Sequence, residues 1–458
     1  MDILLVIPPY VVDADGRGVV PETAMLPVGP LAVAAAIRAR GHRVRCLDLT
    51  FVAEWQNVVQ HETQRPDILL LSCHTIRNIE PCIRVLAAQQ EQWRNIPHVP
   101  HVILGGNVCL QVGIEEFSAL GLSVHAVVRG YGHTPEVIQR ILEREQGDIR
   151  AAQVSAYLPI PALDLLDAAT HEHYRHASDG RYPIIGHGVG CLWNCSYCTA
   201  VMGSRWVERP LGDVERELCV AKAYGYERLW CVDNLTLVDP NRTIAFDAMV
   251  ARHSMTWLGM DRPELVAKHA GVLKQLRALN GIAMGVESAS VEQLAVFKRG
   301  VQATYQKACI TAFHALRDAG IESIAFVMLD LPGSTEEDFW MLMALLRACA
   351  PDTVSWSFYN PPANAIMRNQ QNPSDFGFYR WPMGYAQIAP TRTVQEAMLL
   401  AGVYWCGWTL ASRRHFFANQ NSIGVRFREG TIFFRASAAR SPIGDVWRIW
   451  LQNERRTP

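Results

Sequence analysis

Short apolar segments alternate with longer amphipathic stretches through the first third of the chain. The apolar segments are residues 3–7, 44–47, 68–71, 102–104 and 124–128. Runs of this length are typical of strands buried on both faces, and the stretches between them have the length of helices. The first helix is predicted over residues 29–40, ending at Gly41, because glycine commonly terminates helices. The pattern predicts a doubly wound parallel α/β sheet, similar to a Rossmann domain, over residues 1–148.

In a doubly wound sheet, ligands bind beyond the carboxyl ends of the strands. Four predicted strand ends carry Pro8, Pro9 and Tyr10; Ser72, Cys73, His74 and Thr75; Gly105, Gly106 and Asn107; and Arg129, Gly130, Tyr131 and Gly132. Glycines at two of these ends either admit a ligand close to the backbone or form tight turns. His74 is a candidate metal ligand or an ordinary loop residue.

The alternation resumes after a connector over residues 149–180. Further strands are predicted at residues 183–187, 228–232, 256–260, 282–286, 323–329 and 353–357. Helical patterns separate them, for example residues 211–224 and 263–279. Six successive βα units predict a partial (βα)6 barrel over residues 181–360, whose active site belongs at the carboxyl ends of its strands.

Polar residues stand at those barrel strand ends, among them Asp233, Asn234, Glu287 and Ser288. A carboxylate at a barrel mouth can bind a ribose hydroxyl or an ammonium group. The alternative for Glu287 is a capping or ion-pairing role.

Three cysteines follow the first predicted barrel strand with the spacing C-x3-C-x2-C: Cys191, Cys195 and Cys198. Three thiolates this close can hold one metal centre. A cube of four irons normally takes four thiolates, so three leave one iron open, and an open coordination position is where a metal site does chemistry. The alternative is a closed zinc site with His187 or a distant cysteine as fourth ligand.

The cysteine spacing, with Tyr197 before the last cysteine, resembles the cluster loop of radical S-adenosylmethionine (SAM) enzymes. Residues 285–290 with 298–300 resemble the family's ribose- and amino-contacting region, and residues 331–336 its adenine-side loop. The resemblance covers about residues 180–360. It implies a 4Fe–4S cluster whose open iron binds SAM, an external electron donor such as flavodoxin or ferredoxin, and a 5′-deoxyadenosyl radical. The implied SAM contacts are Tyr197, Asp233, Asn234, Glu287, Ser288, Leu331, Pro332 and Gly333.

Residues 1–148 resemble the cobalamin-binding domain that precedes many radical SAM barrels. The resemblance lies in residues 27–44 with Asp48, in Gly105 and Gly106, and in residues 128–133. The D-x-H-x-x-G signature of other cobalamin proteins is absent, as it often is before this barrel. The family's Gly-Glu-Gly-Glu is replaced here by Gly-Tyr-Gly-His at residues 130–133.

The second resemblance implies cobalamin as a cofactor. The implied contacts are Pro9, Tyr10, Pro27, Gly29, Ser72, Cys73, His74, Thr75, Gly105, Gly106, Asn107, Gly130, Tyr131 and Gly132. His74 or Arg77 would then stand near the lower face of the cobalt.

The composition narrows the partners of the chain. Its 458 residues carry a net charge of −1, so no overall basic field favours nucleic acid. The longest apolar span, residues 397–411, is too short to cross a membrane, and the chain shows no secretion signal. The 12 cysteines are therefore expected to be reduced thiols in the cytoplasm.

The C-terminal region, residues 361–458, is expected to be a mixed accessory region on the substrate side. Residues 412–458 hold nine arginines, no lysine and three acids. This indicates a solvated basic face, or a contact for an anionic substrate or for the corrinoid side chains. Candidates for lining a substrate pocket are Tyr359, Tyr379, Trp381 and His415.

The leading hypothesis is a cobalamin-dependent radical SAM methyltransferase acting on an unactivated carbon, or on phosphorus, of a small molecule or peptide. By resemblance, cobalamin takes methyl from one SAM, and a substrate radical made with a second SAM receives it. The alternatives are a cyclisation, ring contraction or rearrangement without methyl transfer; a methylthiotransferase with a second cluster on Cys46, Cys73, Cys82 and Cys109; and a zinc- or corrinoid-binding sensor. No catalytic residue is predicted beyond the cluster and the cofactors.

Overall fold

The computed structural model describes residues 1–13, 15–21, 23–74, 78–94, 99–151, 156–193, 195, 197–198, 205–297, 301–329, 336–358, 422–428 and 431–435. Over these residues the chain forms a six-stranded sheet, an eight-stranded sheet and a two-stranded hairpin. No helix in this described part is both long and apolar enough to cross a membrane.

The first sheet is parallel and confirms the predicted doubly wound domain. Its strands are β1 (Asp2–Ile7), β2 (Arg43–Asp48), β3 (Ile68–Ser72), β4 (His101–Gly105), β5 (Ala126–Arg129) and β6 (Gly147–Arg150). Its helices are α1 (Val28–Arg38), α2 (Trp55–His61), α3 (Ile79–Gln92), α4 (Ile114–Ala119) and α5 (Pro135–Leu142). The five predicted strands are present. The sixth, β6, was not predicted, because Ile149 is the one buried residue in this short edge strand; it runs across the predicted domain boundary at residue 148.

The strand order is β2-β1-β3-β4-β5-β6. The chain leaves β1 toward β2 on one side and returns to β3 on the other. The order therefore reverses between β1 and β3, and a ligand is expected in the crevice at their carboxyl ends. Alternate residues of β1 supply two cores: Ile3 and Leu5 face one, and Leu4 and Val6 face the other.

The second sheet confirms the predicted partial barrel. In chain order the next elements are α6 (Ala168–Ala177), β7 (Arg181–Ile184), β8 (Gly188–Cys191), β9 (Arg205–Glu208), α7 (Leu211–Ala223), β10 (Arg228–Cys231), α8 (Pro240–Arg252), β11 (Thr256–Asp261), α9 (Pro263–Lys268), α10 (Ala270–Leu273), β12 (Leu279–Glu287), α11 (Val291–Phe297), α12 (Tyr305–Asp318), β13 (Glu322–Leu329), α13 (Glu336–Cys349), β14 (Thr353–Phe358), β15 (Ser422–Arg428) and β16 (Thr431–Arg435). Strands β7, β10, β11, β12, β13 and β14 are parallel neighbours in this order, and β15 and β16 extend the sheet antiparallel.

Two details of the barrel differ from the sequence prediction. The first barrel strand ends at Ile184, and β8 and β9 then form a separate antiparallel hairpin that carries the first cysteine. The helix predicted over residues 263–279 is two short helices, α9 and α10, and residue 279 already begins β12. Both differences arise where an apolar run continues through a turn that periodicity alone does not reveal.

The connector joins the two domains through specific contacts. The Tyr174 hydroxyl on α6 donates to the Asp48 carboxylate, at the end of β2, at 2.7 Å and lies 3.0 Å from the Thr50 hydroxyl just beyond that strand. On the barrel side, the Arg175 guanidinium donates to the Tyr224 carbonyl at 2.6 Å. One apolar core that includes Tyr174 runs from the first sheet into the barrel helices. The two domains are therefore packed as one continuous body.

The barrel floor is apolar. Leu258, Ala283 and Ile324 point into it and are buried, with Trp230 and Phe326 partly buried against them. A packed floor excludes ligands from the lower barrel, so polar chemistry is confined to the carboxyl ends of the strands.

Candidate functional site

The strand that delivers the first cysteine depends on two glycines. Gly190 has φ +99°, and a Cβ there would lie 2.1 Å from the Arg205 carbonyl oxygen on β9. A Cβ on Gly188 would lie 2.2 Å from the Trp206 indole. The Gly-Val-Gly segment before Cys191 is therefore required for β8 to pair with β9.

The predicted residue Asp233, just beyond β10, holds the start of this hairpin. Its buried carboxylate accepts backbone hydrogen bonds from His187 at 2.8 Å, Gly188 at 2.9 Å and also Gly186. The Asn234 amide donates to the Gly190 carbonyl at 3.3 Å. Both predicted residues thus contact the segment leading to the cysteines, and their direct contact with SAM stays a prediction.

Two arginines that the sequence did not single out hold both hairpin strands. Arg242 on α8 donates to the His187 carbonyl at 2.8 Å, to the Arg209 carbonyl and to the Glu208 carboxylate at 3.1 Å. Arg209 is buried and donates to the Ile185 carbonyl at 2.6 Å. Because these side chains act on backbone carbonyls, no spacing in the sequence reveals them.

The three predicted cysteines are partly exposed: Cys191 ends β8, and Cys195 and Cys198 follow it, so residues 191–198 are called the cysteine loop. The Cys198 amide donates to the Cys195 carbonyl at 3.1 Å, and the Trp193 amide donates to Cys191 Sγ at 3.4 Å. Within the described ranges, no three His, Cys, Asp or Glu side chains already stand close enough together to hold a metal ion. The donor set itself, three accessible thiols at a barrel mouth, fits a cluster with one open iron.

His187, the alternative fourth ligand of a zinc site, is directed elsewhere. Its side chain is fully buried, with ring centroids 5.5 Å from Phe246 and 6.3 Å from Trp206. Its Nε2 lies 4.0 Å from the Asp233 carboxylate, and burial lowers its pKa. The histidine therefore packs beneath the hairpin as a neutral ring.

Glu287, the last residue of β12, links the opposite side of the mouth to the cysteine loop. The Tyr197 hydroxyl donates to its carboxylate at 3.3 Å. Burial and the neighbouring Glu287 charge raise the pKa of Tyr197. The next residue, Ser288, donates its hydroxyl to Gln293 at 2.9 Å. The structure thus brings Tyr197 and Glu287 together, and their contact with SAM stays a prediction.

Arg262, directly after β11, was missed by the sequence prediction. Its guanidinium lies 4.3 Å from the centroid of the Trp193 ring, between the first two cysteines in sequence, and donates to the Glu264 carboxylate at 2.6 Å. Asp261 before it accepts amide hydrogen bonds from Leu237 and Arg262, and burial raises its pKa to about 7. A cation is therefore fixed against the cysteine loop.

The predicted cobalamin edge is assembled around β1, β3 and β4. Asn78, at the start of α3, donates to the Tyr10 carbonyl at 3.1 Å and the Pro9 carbonyl at 3.4 Å. It bridges the crevice between β1 and β3 and was not predicted. His74 is exposed at this edge, whereas the Cys73 thiol is buried in the core.

The glycines at this edge serve different purposes. Gly106 has φ +123°, and a Cβ there would lie 2.3 Å from the Cys73 carbonyl oxygen, so the chain itself requires glycine. Gly130 has φ +127° and packs against Ala151. Gly29, in the first turn of α1 after Pro27, is exposed and has open space around it. Of these three, Gly29 alone has no packing that requires a glycine, and its contact with cobalamin stays a prediction.

Several remaining predicted residues have simple placements. Ser72 ends β3 and is buried, Gly105 ends β4, and Asn107 is exposed. Gly132 packs against Val33 of α1. Other candidates lie outside the described residues: Thr75, Arg77, Leu331, Pro332, Gly333, Tyr359, Tyr379, Trp381, His415 and residues 298–300.

Two residues beyond β5 lie near residues of the barrel. Burial and the Asp233 charge raise the pKa of Tyr131 to about 12. Burial, with the nearby Arg209 charge, lowers the pKa of His133 to about 4. The two rings contact each other with centroids 5.4 Å apart. These two residues stand where the family often has two acids.

The fold and site define a doubly wound domain joined to a partial βα barrel with a three-cysteine loop at its mouth. Residues 185–346 match the model of the radical SAM superfamily, so the barrel contains a radical SAM domain.

Two solved structures share the two-domain fold. The radical SAM methyltransferase TsrM from Kitasatospora setae, with tryptophan substrate and a SAM analogue bound, is 16% identical, with 80% of this chain and 76% of that chain covered and a TM-score of 0.62. The cobalamin-dependent SAM radical enzyme OxsB with aqua-cobalamin bound is 15% identical, with 75% and 52% covered and a TM-score of 0.58. The predicted fold class is thereby confirmed.

A curated relative is named for a different reaction. The tRNA-2-methylthio-N(6)-dimethylallyladenosine synthase of Chromobacterium violaceum is 23% identical over 283 residues, which cover 57% of this chain and 60% of the relative. The chain thus spans less than two thirds of that relative's length. Cys73, Cys82 and Cys109, suggested for a second cluster, are fully buried in the apolar core, and Cys46 is partly buried on β2.

Proposed function

We propose that this protein is a cobalamin-dependent radical SAM methyltransferase that methylates an unactivated carbon, or phosphorus, of a small molecule or peptide. The observation that carries the proposal is the proximity of the carboxyl ends of the first sheet and of the barrel, where ligands are expected in both folds. The carboxyl edge of the first sheet, at Tyr131, lies near Asp233 at the mouth of the radical SAM barrel. A substrate between the edges would be held against both cofactors at once. The reaction would then need no separate encounter of the substrate with each cofactor.

The chain's own residues hold and orient these groups. Cys191, Cys195 and Cys198 would bind the cluster, and Glu287 stands where it can accept a hydrogen bond from the ribose or amino group of SAM. Asp233 fixes the backbone that enters the cysteine loop. When bound, the cluster with SAM supplies radical chemistry, and cobalamin supplies a methyl carrier.

The cobalamin would lie on the first sheet, beyond the β1–β3 crevice. Asn78 fixes the two strand ends there, and Gly29 leaves open space at the start of α1. The two solved structures with this fold carry cobalamin in related enzymes, one of them a methyltransferase. His74 is the accessible candidate at the lower face of the corrin.

A rearrangement or cyclisation with the same cofactors is the second candidate. The observation that favours it is the likeness of the fold to OxsB, a cobalamin-dependent SAM radical enzyme. Stoichiometric S-adenosylhomocysteine is the product that separates the two candidates, since it forms only when methyl is transferred.

The test is anaerobic reconstitution with iron, sulfide and cobalamin, followed by iron analysis and assay of deoxyadenosine and S-adenosylhomocysteine under a strong reductant. About four irons per chain supports the proposal, and about eight supports a methylthiotransferase. Cys195→Ala should abolish the cluster, whereas Cys219→Ala, an exposed cysteine on α7, should retain it. A colourless zinc-loaded protein would rule the proposal out.

A further inference from the structure

Arg262 is fixed against the cysteine loop from two sides. It directly follows β11 and is 7% exposed. Its guanidinium lies over the Trp193 ring at 4.3 Å, and the Trp193 amide donates to Cys191 Sγ at 3.4 Å. A planar guanidinium stacks on an indole in a way that an ammonium group does not match.

The position of this charge is set by short local connections. Glu264 on α9 accepts a hydrogen bond from the guanidinium at 2.6 Å, two residues further along the chain. The Arg262 amide donates to the Asp261 carboxylate at 2.7 Å, and Pro263 begins α9 immediately afterwards. The guanidinium is therefore held by α9 as well as by the loop that carries the cysteines.

The charge of Arg262 lies one residue away from the first thiol. Its guanidinium stacks on Trp193, whose backbone amide donates to Cys191 Sγ. A partly desolvated cation at this range interacts with added negative charge much more strongly than a solvated one.

We propose that Arg262 is a positioning residue that raises the reduction potential of the cluster held by Cys191, Cys195 and Cys198. The inference rests on the proposed function, because it requires the cluster. One electron from an external one-electron donor adds one negative charge to the cluster, with no proton and no bond change. Arg262 stabilises that charge, and Glu264 offsets part of the effect. The residue thereby makes the cluster easier for a physiological donor to reduce.

The test is a redox titration of the anaerobically reconstituted protein, followed by electron paramagnetic resonance, without SAM, cobalamin or substrate. At the wild-type midpoint, Arg262→Gln should lower the ratio of reduced to oxidised cluster about tenfold, which is about 59 mV for one electron. The midpoint potential of Arg262→Lys, which keeps the charge, should lie between those of wild type and Arg262→Gln. Glu264→Gln should shift the ratio in the opposite direction.

The matched control is Arg228→Gln, at the opposite end of the barrel, where Arg228 pairs with Asp179 at 2.7 Å on the surface. It should leave the midpoint unchanged. An unchanged midpoint in Arg262→Gln with full iron content overturns the proposal, as does an equal shift in the control. If Arg262→Gln loses its iron, the midpoint potential of Glu264→Gln becomes the deciding measurement. A midpoint potential of Glu264→Gln equal to that of wild type overturns the proposal. Failure of the wild-type chain to take up a four-iron cluster would instead refute the proposed function.

Discussion

The Tyr197 hydroxyl donates a hydrogen bond of 3.3 Å to the carboxylate of Glu287 across the mouth of the barrel. Glu287 has φ +65°, a left-handed conformation that costs a non-glycine residue about 1–3 kcal/mol. The strain coincides with a register shift between β12 and β13 at Gly285 and Glu287. The shift places the carboxylate beside the cysteine loop, where an acid can recognise a polar ligand.

Glu287→Gln should weaken SAM binding by about 10–100-fold, because a hydrogen bond to a charged group contributes about 1.5–3 kcal/mol. Tyr197→Phe removes the hydroxyl that donates to Glu287 but keeps the carboxylate, so it should weaken SAM binding less. Isothermal titration of the cluster-loaded protein with SAM measures both. Equal affinity of Glu287→Gln and wild type would show that the carboxylate does not contact SAM.

Asp233→Asn should reduce cluster retention. The carboxylate accepts three backbone hydrogen bonds at the start of the hairpin, and an amide presents only one acceptor oxygen to them. Exchange of the amide protons of residues 186–188 should accelerate at least tenfold, and iron content after reconstitution should fall.

A second buried aspartate provides the matched control for that prediction. Asp247 accepts backbone hydrogen bonds from Ala278 at 3.0 Å and Leu279 at 2.8 Å, at the amino end of β12. Asp247→Asn should lower the melting temperature by a similar amount and keep the iron. Equal iron loss in both variants would show that Asp233 acts only on overall stability.

Much of the fold was predictable because its signals are local. Buried strands at residues 3–7 and 68–71, and the glycine stop at Gly41, need no distant contact to be recognised. The edge strand β6 has a single buried residue, and the β8–β9 hairpin follows a strand without an obvious break, so neither produces a periodic pattern.

The candidate site was predictable in part for the same reason. Cys191, Cys195 and Cys198 lie within one short segment, so their spacing is informative. Arg262 stacks on Trp193, and Asn78 donates to the carbonyls that follow β1. Both contacts join separate elements, so only the folded chain shows them. At Gly106 the sequence leaves open a close ligand or a tight turn. The folded chain adds that the nearby Cys73 carbonyl already requires a glycine there, and a ligand contact stays a prediction.

Gly190→Ala should disrupt the hairpin and abolish cluster binding. The new methyl group would lie 2.1 Å from the Arg205 carbonyl oxygen at a φ of +99°, so both the pairing and the backbone conformation oppose it. Gly212→Ala, on α7 with open space around it, should keep the cluster and stabilise the fold by up to about 1 kcal/mol. Iron analysis and thermal melting measure both effects, and a normal cluster in Gly190→Ala would contradict the assignment of β8.

Lowering the pH should destabilise the contact between the two domains, because burial of His133 in the folded protein opposes its protonation. This side chain is buried, and its Nε2 has no hydrogen-bond partner among the described residues. Burial, with the Arg209 charge nearby, lowers its pKa to about 4 in the folded protein, against about 6.5 in an unfolded chain. Between these values the unfolded chain binds more protons, so this component of stability is complete above about pH 6.5 and is lost progressively as the pH falls toward 4.

The free energy of unfolding should fall by about 3 kcal/mol, which is the energy equivalent of the difference between the His133 pKa values of the unfolded and the folded chain. His133→Leu should therefore flatten the dependence of the urea midpoint on pH between 7 and 4, whereas His314→Gln, an exposed histidine on α12, should leave it unchanged. Since His133 lies beside Tyr131 and near Arg209, the variant's effect should appear as slower acid-induced proteolysis at the contact between the first sheet and the barrel. A pH profile identical to wild type would show that His133 is already protonated, or solvated, in the folded protein.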